Sequence, residues 1–109
     1  MNAWTPQGPL LSFTAASSAP TSVQVTALSA TPSMQVMVNN TSGTIDAVIG
    51  WSTNDAQAKY NAAASSDVTN CCYIMHSTIQ VLTVPNGCYM TGISVSSTAV
   101  IKVQSGIGN

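Results

Sequence analysis

The chain has 109 residues, a formal net charge of −1 and only 5% charged residues, against about 25% in an average soluble domain. This length suits one domain with a single core, and its two cations, Lys59 and Lys102, are too few for a nucleic-acid-binding face or for binding to an anionic membrane. No apolar stretch approaches the roughly 20 residues that span a bilayer. Because Ser and Thr replace the missing charges, we expect the surface to be covered by other protein in a large assembly.

The residue types favour β-structure, since Val, Ile and Thr dominate the ordered-looking segments and turn residues separate them. The first segment, Met1–Pro9, contains Trp4, Pro6 and Pro9. Its prolines argue against regular strand pairing, so we expect an extended arm that docks elsewhere. Three strands are predicted next, over residues 10–16, 22–28 and 34–38.

The strongest predicted strand spans Thr44–Trp51. Its apolar residues alternate along one face, as expected for a half-buried strand: Ile45, Ala47, Ile49 and Trp51. Asp46 falls on the opposite face, which must therefore be wet or edge-like. The Ala-rich segment Asn54–Ala64 predicts a short helix or a turn-rich excursion, with Asn54 as its N-cap and Tyr60 as its anchor.

The rest of the chain predicts further short strands over residues 72–76, 77–84, 89–95 and 98–104. In the second of these, Ile79 and Val81 fall on one face, and Leu82 and Val84 fall on the other. Pro85, Asn86 and Gly87 form a turn signal, and Ser96–Ser97 indicates a tight hairpin between the last two strands. About seven or eight strands at roughly ten-residue spacing predict an all-β domain over residues 10–109. Its expected architecture is an antiparallel β-sandwich or jelly roll.

The three cysteines, Cys71, Cys72 and Cys88, are an odd number, which argues against a disulfide framework. The favoured interpretation is reduced, partly buried thiols that act as small hydrophobic side chains. The alternative is a disulfide from Cys72, or from Cys71, to Cys88; only one of the two neighbours can face Cys88, because adjacent residues of a strand point to opposite faces. A zinc site would need His76 and lacks the usual cysteine spacing.

Candidate catalytic groups are sparse. His76 is the single histidine, and it would need Ser77 and a distant aspartate to form a triad. The chain has three acidic residues, all aspartates, and no glutamate, so paired carboxylates for glycoside cleavage are not expected. We therefore predict a protein that is not an enzyme and that has no cofactor, metal or small-molecule substrate.

Three aromatic residues suggest binding to another molecule. Trp51 and Tyr60 are the best pair for a carbohydrate-binding face, although the favoured interpretation is that Trp51 caps the core. Trp4, in the proline-broken arm, fits an anchor in a partner's pocket. The predicted contact residues for assembly are Trp4, Pro6, Leu10, Trp51 and Tyr60.

Several segments together resemble a known group of proteins. They are V-N-N-T at residues 38–41, A-V-I-G-W-S at 47–52, V-P-N-G at 84–87, and the strand pair G-I-S-V-S-S-T-A-V-I-K-V-Q-S-G-I-G at 92–108. The pattern resembles small structural proteins of tailed-phage head-gene clusters, which are capsid decoration or cement proteins with sandwich or jelly-roll folds. This chain departs from the pattern of those proteins at its paired cysteines, Cys71 and Cys72.

The resemblance implies a virion protein that binds the outside of a phage head and stabilises it. The implied partners are the major capsid protein and further copies of the chain, as a dimer or trimer, and the implied location is the capsid surface after synthesis in the host cytoplasm. Two other functions are weighed against this one: a carbohydrate-binding module, and another virion component such as a tail, collar or spike subunit.

Overall fold

Two antiparallel β-sheets and one helix form the computed structural model, which describes residues 5–26, 32–63 and 70–107. The helix α1 spans Asp55–Ala63. The strands are β1 (Thr5–Pro6), β2 (Leu11–Ala15), β3 (Val23–Gln24), β4 (Ser33–Asn40), β5 (Ala47–Ser52), β6 (Cys71–Ile74), β7 (Thr78–Pro85), β8 (Tyr89–Ser94) and β9 (Ala99–Ile107).

The strands divide between a five-stranded sheet, sheet A, and a four-stranded sheet, sheet B. Sheet A has the order β1-β9-β4-β7, with β2 also pairing β9, and sheet B has the order β3-β8-β5-β6. Successive strands repeatedly change sheet, as β6, β7, β8 and β9 do. The predicted antiparallel β-sandwich is confirmed.

The predicted hairpin at Ser96–Ser97 is wrong. β8 pairs with β3 and β5 in sheet B, whereas β9 pairs with β1, β2 and β4 in sheet A. The short connection therefore passes from one sheet to the other, with Ser97 at a φ of 53°. Local alternation and a turn signal predict two strands and a reversal, but they do not determine whether those two strands pair.

The core lies between the sheets and is formed by alternate residues of both. The predicted inward face of β5 is confirmed, because Ala47, Ile49 and Trp51 are buried in it. The largest fully buried apolar side chains come from strands of both sheets and from the segment after β3: Val25, Val36, Val38, Ile49, Ile74, Val84, Met90, Ile101 and Val103.

The N-terminal segment is tied to sheet A wherever it is described. Pro6 pairs with Gly106, the Gln7 amide donates to the Ser105 carbonyl at 2.9 Å, and the Gln104 side chain donates to the Gly8 carbonyl at 3.0 Å. The expectation that the prolines prevent strand pairing is therefore wrong at Pro6. A proline is tolerated there because β1 is a two-residue strand at the sheet edge.

The helix α1 packs on the outer face of sheet B. Asn54 is its N-cap as predicted, since the Gln57 amide donates to Asn54 Oδ1 at 2.8 Å. The helix approaches β5 so closely that a Cβ added to Gly50 would lie 2.3 Å from the Ala62 amide nitrogen and 2.8 Å from the Ala58 carbonyl oxygen. In the described part of the chain, no helix is long and apolar enough to cross a membrane.

Gly50→Ala is expected to lower the free energy of unfolding by about 1–3 kcal/mol, because the new methyl group would push α1 away from β5. Gly43→Ala is the matched control, since a Cβ at Gly43 meets nothing within 4 Å, and it should leave stability nearly unchanged. Chemical denaturation of both variants measures the difference, and equal stability would contradict the close packing of α1 on β5.

Candidate assembly surface

The outer edge of β7 is the longest open strand edge in the described structure. β7 pairs with β4 along all of its 8 residues and ends the strand order of sheet A. Its sequence, TIQVLTVP, carries no charge. Natural proteins usually protect such an edge with charges, bulges or a covering segment, because its backbone groups can pair with another chain. This edge, called the β7 edge below, has no charged side chain of its own.

The side chains along β7 add apolar surface to that edge. Ile79 and Val81 are 58% and 49% exposed, and they lie on the outer face of sheet A. Leu82 and Val84 face inward, so the predicted division of this strand into two faces is confirmed. Sequence alternation identified the outward residues, but it gave no signal that β7 would lie at the end of a sheet.

Two of the three cysteines, Cys71 and Cys72, lie on β6, and the third, Cys88, is buried. Cys72 is opposite Ile49 in the register of β5 and β6, and its Sγ lies 3.6 Å from Gln80 Oε1 on β7. Cys71, next to it, is on the other face of β6. Both are partly exposed, whereas Cys88 is buried. Burial, and secondarily the neighbouring Cys71, raises the pKa of Cys72, and burial raises the pKa of Cys88 to about 11.

The alternative of a Cys72–Cys88 disulfide is not realised. β5 separates β6 from β8, so Cys72 and Cys88 lie two strand spacings apart, about 10 Å before their offset along the strands is added. A disulfide joins Cα atoms less than about 7 Å apart. In the described residues, the three thiols form no disulfide, and no group of three or more His, Cys, Asp or Glu residues could hold a metal ion.

Asp46 organises one end of the sandwich. Its Oδ2 accepts a hydrogen bond from the Tyr73 hydroxyl at 2.6 Å, and its Oδ1 accepts one from the His76 amide at 2.9 Å. The His76 ring Nδ1 lies 2.8 Å from the same oxygen. The hydrogen bond from Tyr73, followed by those from the His76 backbone and ring, lowers the pKa of Asp46 from 3.8 to about 2.

This Asp46–His76 contact joins loops and does not complete a triad. The neighbouring Ser77 donates its hydroxyl to the Ser42 carbonyl at 3.3 Å, and its amide donates to the same oxygen at 2.8 Å. Asn40, buried at the end of β4, donates its side-chain amide to the carbonyls of Ile45 and Ile74. These bonds fix the loop before β5 against the turn between β6 and β7.

The predicted contact residues differ in how exposed they are. Trp51 is only 8% exposed and belongs to the core, so the prediction that it contacts a partner is wrong, because its position on the inward face of β5 places the indole between the sheets. Tyr60 is 63% exposed on α1 and Leu10 is 55% exposed before β2. Pro6 is exposed in β1, and Trp4 lies outside the described residues.

The burial of Trp51 removes the predicted pair for a carbohydrate-binding face. Such a face needs exposed aromatic rings side by side, whereas only Tyr60 of the two is accessible. The interpretation that Trp51 caps the core is the one that its burial supports.

Comparison with known proteins supports the fold. A solved structure from Bacillus endospore appendages, described as forming a novel family of disulfide-linked pili, is similar to this chain with a TM-score of 0.55 at 11% sequence identity. The match covers 98% of this chain and 93% of the appendage protein. No protein-family model matches the chain, and no curated protein matches it either. The similarity in fold therefore extends over nearly the whole chain.

Asp46→Asn is expected to lower the melting temperature by several degrees at pH 7, because the carboxylate bonds to Tyr73 and His76 are weakened. The folded-state pKa lies below its ordinary value, so the stabilisation is fully present above about pH 4 and is lost as the pH falls through about 2. The difference between wild type and variant should therefore disappear in strong acid.

Thermal unfolding of both proteins between pH 1.5 and pH 7 measures this effect. Tyr73→Phe is a conservative companion variant, and it should raise the pKa of Asp46 and cause a smaller loss of stability. A difference between wild type and Asp46→Asn that stays constant over the whole range would contradict the assignment.

Proposed function

We propose that this chain is a non-enzymatic structural subunit that assembles with copies of itself into an extracellular polymer. The observation that carries the proposal is the β7 edge, an open, uncharged strand of 8 residues beside the exposed side chains of Ile79 and Val81. The similarity in fold to an appendage protein that forms pili supports the same class of function.

Strand addition is the physical basis of the proposed assembly. When an edge strand pairs with a strand of another molecule, its unpaired amides and carbonyls gain partners along the whole length, and the side chains beside it set the register. The low charge of the chain, 5% of its residues, leaves little electrostatic repulsion between copies. A surface that would be a liability in a monomer becomes an interface in a polymer.

Covalent linkage between copies is the second part of the proposal. An odd number of cysteines in an extracellular protein favours pairing between molecules, and the appendage protein of similar fold forms disulfide-linked pili. Cys71 and Cys72 are partly exposed, whereas Cys88 is buried. Two thiols from neighbouring copies would form one disulfide, and molecular oxygen would take up the two electrons and two protons that they lose.

The narrower function implied by the family resemblance, decoration of a phage capsid, remains a prediction. It uses the same physical features, since a cement protein also buries strand edges and apolar surface on a repeating shell. The match in fold is to a pilus protein and gives no support to a capsid as the partner. Imaging of assembled material distinguishes the two functions, because a decoration protein requires a shell and a pilus subunit does not.

Ile79→Lys is expected to raise the concentration needed for assembly by at least about tenfold, because a lysine on an edge strand opposes pairing with a second strand. Sedimentation and negative-stain electron microscopy of the purified chain measure assembly. Ala63→Lys is the control, since it adds the same charge at an exposed position of α1. Equal assembly of the two variants, or a wild type that stays monomeric at high concentration, would contradict the proposal.

Replacing both Cys71 and Cys72 by Ser is expected to abolish covalent oligomers under oxidising conditions, whereas Cys88→Ala should retain them, because the Cys88 thiol is buried and has a pKa of about 11. Non-reducing gel electrophoresis after exposure to air measures the linkage. A ladder of oligomers that survives the double substitution, or that disappears with Cys88→Ala, would show that the linkage is assigned to the wrong thiols.

A further inference from the structure

The outer face of sheet B is only partly covered by α1. The helix lies over Gly50, whereas side chains beside the start of β5 on this face are exposed, as Tyr73 is. Val48 lies between Tyr73 and Ile93 in the register of the sheet. Two residues earlier in the chain, the same register, continued beyond β5, places Asp46 between Met75 and Val95. The Val95 amide donates to the Asp46 carbonyl at 3.1 Å.

These positions form one patch, called the B patch. It consists of the apolar residues Val48, Tyr73, Met75, Ile93 and Val95 around the carboxylate of Asp46. Tyr73, Met75 and Val95 are 53%, 55% and 57% exposed. These exposed apolar side chains are therefore neighbours on one sheet face. Asp46 is the one acidic member of the B patch, and its carboxylate contacts the His76 ring.

The outer face of sheet A carries a second patch, called the A patch, beside the β7 edge. Met37 is directly opposite Val81, and Asn39 lies between Ile79 and Lys102. The apolar part is thus Met37, Ile79 and Val81, and Lys102 supplies one positive charge. In the described part of the chain, Lys59 forms an ion pair with Asp55, and Lys102 is a cation without an ionic partner there.

We propose that the A patch of one copy packs face to face on the B patch of the next copy, an interface that rests on the proposed self-assembly and adds a second contact to the β7 edge. Each patch spans three neighbouring strands and two residue positions, about 10 Å by 7 Å. The two patches therefore match in extent, and each combines apolar side chains with one charged group.

Charge selects this pairing over the symmetric ones. An A patch on a B patch brings Lys102 near Asp46, whereas two A patches bring two lysines together and two B patches bring two aspartates together. Like charges that meet in a partly desolvated interface disfavour a wrong partner. The Asp46 carboxylate keeps its bonds to Tyr73 and His76, and its negative charge attracts Lys102 across the interface.

The proposed contact determines the form of the assembly. The two surfaces are different parts of the chain, so the interface is heterologous, and each copy offers a free A patch at one side and a free B patch at the other. Repetition of a heterologous contact gives a ring or an open filament. The face contact can therefore extend a polymer in a direction that strand pairing at the β7 edge does not use.

The test places a positive charge in the B patch with Val95→Lys, which would face Lys102 of the next copy. At low salt this variant is expected to need at least about tenfold more protein for assembly than wild type, as measured by sedimentation. Ala63→Lys is again the control of equal net charge. If Val95→Lys fails to fold, as judged by its thermal unfolding, Met75→Lys at the equally exposed neighbouring strand end replaces it.

Charge reversal then identifies the partner surface. Lys102→Glu alone should also block assembly, because it places a carboxylate opposite Asp46. The double variant, Val95→Lys with Lys102→Glu, should assemble by itself, and an equal mixture of the two single variants should assemble as an alternating copolymer. Salt should reduce all of these differences.

Three results would overturn the inference. If wild type assembles and Val95→Lys assembles equally well, the B patch is not an interface, although the proposed function stands. If Val95→Lys blocks assembly and neither the double variant nor the mixture restores it, another surface or another molecule occupies the B patch. If wild type does not assemble at all, the proposed function fails and this interface fails with it.

Discussion

The backbone groups along the outer edge of β7 have no partner strand in the described part of the chain, and the side chains of β7 itself carry no charge that would keep another strand away. Backbone amides and carbonyls are strong hydrogen-bonding groups, and an edge of 8 residues presents them in a regular row. The outer faces of both sheets carry exposed apolar side chains, and charge is confined to a few positions.

The two described aspartates, Asp46 and Asp55, both form bonds within the domain. Asp46 fixes the loop before β5 to the turn between β6 and β7 through Tyr73 and His76. Asp55 pairs with Lys59 on the surface of α1 at 3.4 Å and also accepts a hydrogen bond from the Ser22 amide. An exposed pair of this kind contributes little to stability. We therefore expect most of the stability to come from packing between the two sheets and from packing of α1 on Gly50. Lys102 remains as the one described cation outside an ion pair.

The sequence predicted much of the fold, because alternation reports which face of a strand is buried. It identified Ala47, Ile49 and Trp51 as one inward face and separated Ile79 and Val81 from Leu82 and Val84. It did not predict which strands pair, since that depends on contacts between distant residues, and the Ser96–Ser97 hairpin was wrong for this reason. The sequence predicted less of the candidate site than of the fold. Tyr73, His76 and Asp46 meet only through the register of β5 and β6, and the edge position of β7 follows from the order of all the strands in sheet A.

Amide hydrogen exchange, compared between dilute monomer and concentrated assembled protein, tests most directly whether copies of this chain cover the open strand. The amides of β7 directed away from β4 are expected to exchange freely in the monomer and to become protected on assembly, while those paired with β4 are protected in both states. Equal exchange of the outward amides of β7 in both states, or no assembly at high concentration, would contradict the proposal that copies of this chain cover the β7 edge.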